Sequence, residues 1–317
     1  MKQIQRRLLA AAGAAALTLT VAGVGPAGAA TQTEAVTGPY QLNFSTALLY
    51  GGIHPDAQPR GANDWGCTPK AGTQPVVLVH GTYANQYNSF ARMAPELTWA
   101  GYCVYSFNYG TDGTDAAAQL PGVYGTTGLS GNGDELAAFA ATVRERTGFD
   151  KVDMVGWSQG GTIITDVLKK HGGAGVDDVV TFGASHHGTT VSGLSTIAGV
   201  VGVTDLTRAG LGQAAVDQLR GSDYLTALTA DGDTVPGVDY TVVASRYDEV
   251  VTPYSSTFLE AGPGATVRNI TLQDGCGIDF SDHLSMTASP RLIDITKRAL
   301  DPQGRGYLRC LPNAPIL

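Results

Sequence analysis

The segment that most restricts the fold is Gly156-Trp157-Ser158-Gln159-Gly160-Gly161, which directly follows the largely apolar run Val152–Val155 and directly precedes a stretch of helical periodicity. A chain that passes from strand to helix in so few residues must bend so tightly that Cβ atoms flanking the bend would collide, and glycine at 156 and 160 removes that collision. The residue between them is then held in a strained conformation above the sheet, its hydroxyl exposed at a helix N-terminus. This is the G-x-S-x-G turn in the setting it requires, and it makes Ser158 a candidate nucleophile. In a chain with 42 glycines the competing reading is a chance match. The strand before it and the helix after it count against chance.

Short β-branched or aromatic runs bounded by turn residues occur at Pro75–His80, Cys103–Tyr109, Val152–Trp157, Val179–Gly183, Tyr240–Ser245 and Val267–Leu272. Runs that are apolar on both faces are expected of buried parallel strands. Helical periodicity lies between them. One stretch follows Asp134, read as an N-cap, through Leu136, Phe139, Ala140 and Val143. Another runs from Gly160 to His171 and ends with Lys169, Lys170 and His171 before Gly172, which places positive charge in the last turn and glycine just beyond it. Alternating strand and helix predicts an α/β fold, a mostly parallel, doubly wound sheet with helices on both faces. Residues 31–72, rich in Gly, Pro, Asn and Asp and without sustained periodicity, read as an arm wrapped over the domain and pinned through Cys67. Two excursions, Thr111–Gly133 and Thr189–Gly237, should pass over the strand ends. The second carries Leu194, Ile197, Val200, Val201, Val203 and Leu206 ahead of a helix-like run around Ala214–Leu219, and reads equally as an ordinary connection or as a small cap lining an acyl pocket.

A serine hydroxyl is a weak nucleophile near neutral pH, so a base must take its proton and an acid must hold that base in the right tautomer. With the nucleophile on such a turn, the acid and then the histidine should follow in chain order. His283 alone follows the last strands, because His54 and His80 precede Ser158 and His171, His186 and His187 come too early. Asp248 stands just after the run Tyr240–Ser245, in the loop at the carboxyl end of a strand, where a triad acid belongs. Its rivals are Asp282, adjacent to His283 and poorly placed to reach the far ring nitrogen, Glu249, which points away if Asp248 points in, and Asp279 and Asp274. An oxyanion formed on attack needs prepositioned donors. The backbone N–H of Gln159 is one candidate, and Thr82, in the loop after the first core strand, offers both N–H and hydroxyl. His80 reads as a buried histidine bonding loop backbone. His186 and His187 are adjacent, so their side chains diverge and no carboxylate stands at ligand spacing; no metal site is expected.

Lys2, Arg6 and Arg7 precede an uncharged apolar run from Leu8 to Val24, and Ala27 and Ala29 flank Gly28 before a polar stretch. That is the pattern of a cleaved export signal, expected over residues 1–29, with a single catalytic domain over residues 30–317 and a secreted, extracellular product. The run is too short and too interrupted for a stable membrane anchor. A net charge of −8 with scattered basic residues makes nucleic acid and anionic membrane poor partners. Cys67, Cys103, Cys276 and Cys310 all lie in the exported part, where disulfides form. Three pairings are open to them. The sequential one, Cys67 with Cys103 and Cys276 with Cys310, is preferred because each bridge would staple a loop beside a core strand.

The chain resembles the secreted bacterial class 2 lipases and, more distantly, compact yeast lipases of the lipase B type. The resemblance rests on Gly61–Cys67, on Val77–Thr82 with its His80-Gly81-Thr82, on Gly156–Gly161, on His187-Gly188-Thr189, on Asp248-Glu249-Val250-Val251 and on Asp282-His283, together spanning about residues 60 to 300. It implies an α/β-hydrolase fold and hydrolysis of acylglycerols or simple esters without a cofactor. It further implies an oxyanion hole at Thr82 and Gln159, the sequential disulfides and Asp248 as the acid. The partner expected is a lipid or ester substrate, met at a lipid–water interface, and the chain is expected to be a monomer. An acyltransferase, thioesterase or serine peptidase could use the same triad, since fold and nucleophile do not fix the acyl acceptor. A non-catalytic binding protein on this fold would usually have lost a triad member, and all three are present in order.

Overall fold

The computed structural model describes residues 36–190 and 205–317. Residues 1–29, expected from the sequence to be an export signal, and the apolar residues Leu194, Ile197, Val200, Val201 and Val203 lie outside them, as does the side chain of Leu206. The described part is built on one sheet of six parallel strands, β1 (Val76–Val79), β2 (Val104–Ser106), β3 (Val152–Trp157), β4 (Val176–Phe182), β5 (Asp239–Ala244) and β6 (Thr266–Thr271), in the order β2-β1-β3-β4-β5-β6. Each apolar run read from the sequence contains or overlaps one strand. The side chains alternate between two cores, as strand geometry requires. Val76, Leu78, Val155, Trp157, Val180 and Phe182 face one, and Val77, Val79, Met154, Val179 and Val242 face the other. Helices α2 (Gln86–Phe90), α3 (Met93–Trp99) and α9 (Pro290–Ala299) contribute Phe90, Met93, Leu97, Leu292 and Ile293 to the first core. Helices α4 (Leu129–Thr147) and α5 (Gln159–His171) contribute Leu136, Val143, Ile163, Ile164 and Leu168 to the second. A sheet covered on both faces is thereby complete.

Three expectations need correction. The last run is not buried on both faces: β6 is an edge strand with exposed Thr266, Arg268 and Asn269. Asn269 covers part of that edge by accepting from Leu259 N (3.2 Å) and donating to Leu259 O (2.9 Å). Asp134 is not an N-cap, because α4 begins five residues earlier at Leu129. The cap comes from elsewhere in the chain: Asp217 Oδ2 accepts from Leu129 N at 3.0 Å, while Asp134 sits inside the helix and pairs with Lys170. The arm over residues 31–72 also contains a helix, α1 (Phe44–Ile53), started by Asn43, whose side chain accepts from Thr46 N. It buries Phe44, Ala47 and Gly51, spaced three and four apart, and leaves Leu48, Leu49 and Ile53 exposed.

The Thr189–Gly237 excursion contains the short helices α6 (Asp205–Leu211), α7 (Gln213–Asp217) and α8 (Asp223–Leu228). Cys67 is joined to Cys103, with Cα atoms 5.7 Å apart, and Cys276 to Cys310, at 5.3 Å. The first bridge ties the arm to the start of β2 and the second ties the loop after β6 to the C-terminal segment. Among the described residues no helix is long and apolar enough to cross a membrane.

Candidate active site

β3 ends at Trp157 and α5 begins at Gln159, so Ser158 alone forms the turn, with φ 54° and ψ −126°. A non-glycine residue in this region is strained, and the surroundings must enforce it. They do so by close approach: a Cβ on Gly156 would lie 2.6 Å from Gly160 C, and one on Gly160 would collide with the Val79 carbonyl. The turn is further pinned by Ser158 N donating to Phe182 O at 3.0 Å.

The fold brings three distant residues to this turn. Ser158 Oγ lies 3.0 Å from His283 Nε2, and His283 Nδ1 lies 2.9 Å from Asp248 Oδ2. Asp248 follows β5, and its other oxygen accepts from Val250 N (3.0 Å) and Val251 N (2.7 Å). The carboxylate is therefore oriented before it meets the ring. His283 lies in the loop between β6 and the 3-10 turn Ser285–Ala288, and its carbonyl accepts from Trp157 Nε1 at 3.1 Å. Phe44 of α1 packs edge-on against the same indole, ring centres 5.6 Å apart, so the unexpected helix touches the side chain that bonds the His283 loop. Gly183 leaves room beside the Asp–His bond: a Cβ there would sit 3.2 Å from both Asp248 Oδ2 and His283 Nδ1.

The rival carboxylates have other partners. Asp282 accepts from Ser285 N (2.7 Å) through one oxygen and from the backbone N–H groups of Ile316 and Leu317 through the other. Asp279 accepts from Ser281 N (3.0 Å) and from the Ser289 hydroxyl (2.7 Å). Asp274 pairs with Arg246 on the surface. Burial by itself would lower the His283 pKa, but the charge of Asp248 and its hydrogen bond outweigh burial, with Glu249 and Asp282 adding, and hold it above the usual imidazole value. Glu249 is pushed up to about 7, chiefly by burial and then by Asp282.

Thr82 and Gln159 meet at the same rim. The Gln159 N–H opens α5 and has no carbonyl one turn back within the helix. Thr82 Oγ1 accepts from Gln159 Nε2 at 2.9 Å and from Gln218 Nε2 at 2.8 Å. Gln218 was not singled out from the sequence, where its only signal is a place in the helix-like run 214–219. His80 is fully buried; its Nδ1 lies 2.9 Å from Gly81 O and its Nε2 accepts from Tyr109 N at 3.3 Å, while burial depresses its pKa to about 4. It is thus a neutral ring bonding loop backbone. His186 and His187 diverge. His186 lies between the Thr165 and Thr181 hydroxyls, its pKa lowered to about 3 by burial and by His187. His187 spans Asp233 (2.9 Å) and Ser256 O (3.1 Å), and the Asp233 bond raises its pKa. Among the described residues, Asp153, Asp177 and Asp178 bring carboxylate oxygens within 4.8 Å of one another, at the amino ends of β3 and β4, the other end of β3 from Ser158.

The family model described as Lipase (class 2) matches residues 73–286, more than half of the chain. The crystal structure of Aspergillus fumigatus lipase B is similar at 23% identity over 80% of this chain and 60% of that one, with a TM-score of 0.59, a likeness of fold. The chain therefore spans about 60% of the length of that lipase. Bacillus licheniformis lipase BlEst2 in its mature form is more distant, at 18% identity over 70% of this chain and 89% of that one, TM-score 0.48. The esterase RhEst1 from a Rhodococcus species is similar at 19% identity over 73% of this chain and 89% of that one, TM-score 0.44.

Proposed function

The chain belongs to the class 2 lipases, and from that premise we propose that it hydrolyses carboxylic esters of acylglycerols or simple alcohols through an acyl-enzyme on Ser158. The observation that carries this reading is the run of short contacts from Asp248 through His283 to Ser158, ending on a serine held at φ 54°. In the reaction Ser158 Oγ attacks the acyl carbon while its proton passes to His283 Nε2. Asp248 stabilises the resulting imidazolium through Nδ1–H, and the oxyanion is met by the Gln159 N–H and by the N–H and hydroxyl of Thr82. His283 then protonates the leaving alkoxide, and the alcohol departs to leave the acyl-enzyme. Water, deprotonated by the same ring, attacks the acyl-enzyme, and His283 returns that proton to Ser158 Oγ as the acid leaves. The side chains and backbone N–H groups named supply every proton transfer and charge contact in these steps. We propose also that residues 1–29 are a leader removed on export and that residues 30–317 act as one extracellular domain. The two disulfides suit an oxidising compartment.

The test is Ser158→Ala, which fits the turn and deletes only the attacking oxygen. Hydrolysis of p-nitrophenyl esters of increasing chain length and of an emulsified triglyceride should fall by several orders of magnitude with the fold intact. An organophosphonate should leave a covalent adduct on Ser158 of the parent enzyme. Turnover retained by a folded Ser158→Ala protein overturns the mechanism. Turnover of a peptide substrate in preference to every ester would reassign the acyl group to a peptidase.

A further inference from the structure

We infer that Gln218 is a positioning residue that makes the Thr82 hydroxyl an obligatory hydrogen donor to the oxyanion, an inference that rests on the ester-hydrolysis reading above. A threonine hydroxyl has two acceptor sites and one hydrogen. At Thr82 Oγ1 both acceptor sites are taken by amide N–H groups, from Gln159 at 2.9 Å and Gln218 at 2.8 Å. The hydrogen must then point in the remaining direction. A free hydroxyl in its place would rotate among several partners, and each wrong orientation would aim a lone pair at the developing negative charge.

The argument requires that both amides present nitrogen to Thr82, and their surroundings dictate it. Gln159 Nε2 gives its second hydrogen to Gly125 O at 2.9 Å, while its oxygen accepts from Asn132 Nδ2 at 3.0 Å. Gln218 Nε2 gives its second hydrogen to Ala214 O at 3.0 Å, while its oxygen receives the Ser185 hydroxyl at 2.9 Å; Ser185 in turn lies 2.9 Å from the Thr162 hydroxyl. Turning either amide over would set its oxygen against a backbone carbonyl. The Gln218 backbone is itself held to the rim after β4, since its carbonyl accepts from Thr189 N at 2.9 Å. The loop that carries Thr82 abuts the nucleophile, for a Cβ on Gly81 would lie 3.0 Å from Ser158 Cβ. Gln218 thus acts on the reaction without touching substrate: it sets the direction of a bond that strengthens as charge develops.

The test is a double-mutant cycle on the full chain. Gln218→Met keeps the volume and removes the donor, Gln218→Glu replaces the donor with an acceptor to which the Thr82 hydroxyl would turn, and Thr82→Val removes the hydroxyl. Competent sites are counted by organophosphonate titration so that kcat refers to folded enzyme, and thermal unfolding is followed in parallel. Gln218→Met should lower kcat about 10- to 100-fold with KM nearly unchanged, and Gln218→Glu at least as much, since loss of one oxyanion donor costs about 100- to 1,000-fold. In the Thr82→Val background either change should cost little more, whereas Thr82→Ser, which keeps the hydroxyl, should restore the full sensitivity to Gln218. Losses that multiply across the two sites would overturn the inference and leave Gln218 a packing residue, as would unaltered kcat in both Gln218 variants. Failure of the phosphonate to label Ser158 of the parent enzyme would instead strike the ester-hydrolysis reading on which the inference rests. Should Gln218→Met not fold, Gln218→Glu carries the same cycle.

Discussion

Replacing Asp248 by asparagine should cripple the enzyme through a tautomer, and the hydrogen bonds say why. Asp248 Oδ1 accepts from Val250 N and Val251 N, and Oδ2 accepts from His283 Nδ1. An amide at this position has one oxygen and one NH2. The two backbone donors demand the oxygen, because an NH2 turned toward them would bury donors against donors. The NH2 therefore faces His283 and donates to Nδ1, which forces the ring's own hydrogen onto Nε2. That nitrogen, 3.0 Å from Ser158 Oγ, then offers a hydrogen where it should accept one. The side chain is isosteric and buried, so the fold should survive. The loss in kcat should be about four orders of magnitude, about 5 kcal/mol of transition-state stabilisation. The assay is p-nitrophenyl ester hydrolysis near neutral pH with sites counted by phosphonate, alongside Asp282→Asn. Asp282 bonds the Ser285, Ile316 and Leu317 N–H groups, away from the ring, and its amide should cost far less. An active Asp248→Asn protein beside an inactive Asp282→Asn one would refute the reasoning and move the acid to the later loop.

Other outcomes follow from groups around this centre and beneath it. Glu249 contributes to the raised pKa of His283 and is itself pushed up to about 7, so Glu249→Gln should move the acidic limb of the kcat/KM profile to lower pH; a limb that stays in place would show that Glu249 does not act on the ring. Asp153 is pushed up from the ordinary carboxylate value of 3.8 to about 8, first by burial and then by Asp178. A folded-state pKa raised above the unfolded one gives stability that is complete below about pH 4 and is lost as pH rises through about 8. Asp153→Asn keeps an acceptor for the Asp178 N–H and cannot ionise, so its melting temperature should match the parent near pH 4 and exceed it by several degrees near pH 9, a gain on the order of 2 kcal/mol; equal melting curves at alkaline pH would contradict this. Replacing Cys276 and Cys310 together by serine should cost about 3–4 kcal/mol by loop entropy and loosen the loop that carries His283, read as lower stability in urea with a matching fall in kcat.

What the sequence made legible was what local chemistry decides. The turn at Ser158 is specified within six residues, since two glycines, a strand and a helix suffice, and the order of acid and base follows once the strands are placed. The inner strands β1, β3, β4 and β5 stood out because parallel strands covered on both faces are apolar along their length. The errors arose where a distant partner decides. Helix α4 starts at Leu129 because Asp217, 88 residues later, supplies its cap. Helix α1 escaped notice because its buried face is made of Phe44, Ala47 and Gly51 while its larger aliphatic residues face outward, the reverse of the pattern used to find helices.

The same division runs through the site. Ser158, His283 and Asp248, which the fold brings together and which we propose as the triad, could be read because in those roles each must be a particular residue type. Gln218 could not, because its contribution is to fill a lone pair on Thr82, a task defined only when two loops 136 residues apart are brought together. A glutamine in a helix-like run has no signature, and the side chains that fix its amide, Ser185 and Thr162, have none either. Sequence therefore favours residues that react over those that orient them. In this chain the orienting set is the larger: the Val250 and Val251 N–H groups for Asp248, Trp157 for the base loop, and Gln159 with Gln218 for Thr82. A geometry that must hold several groups in register is built mainly from such residues, so substitutions among them should alter kcat while a motif search still finds Ser158, Asp248 and His283, the triad we propose.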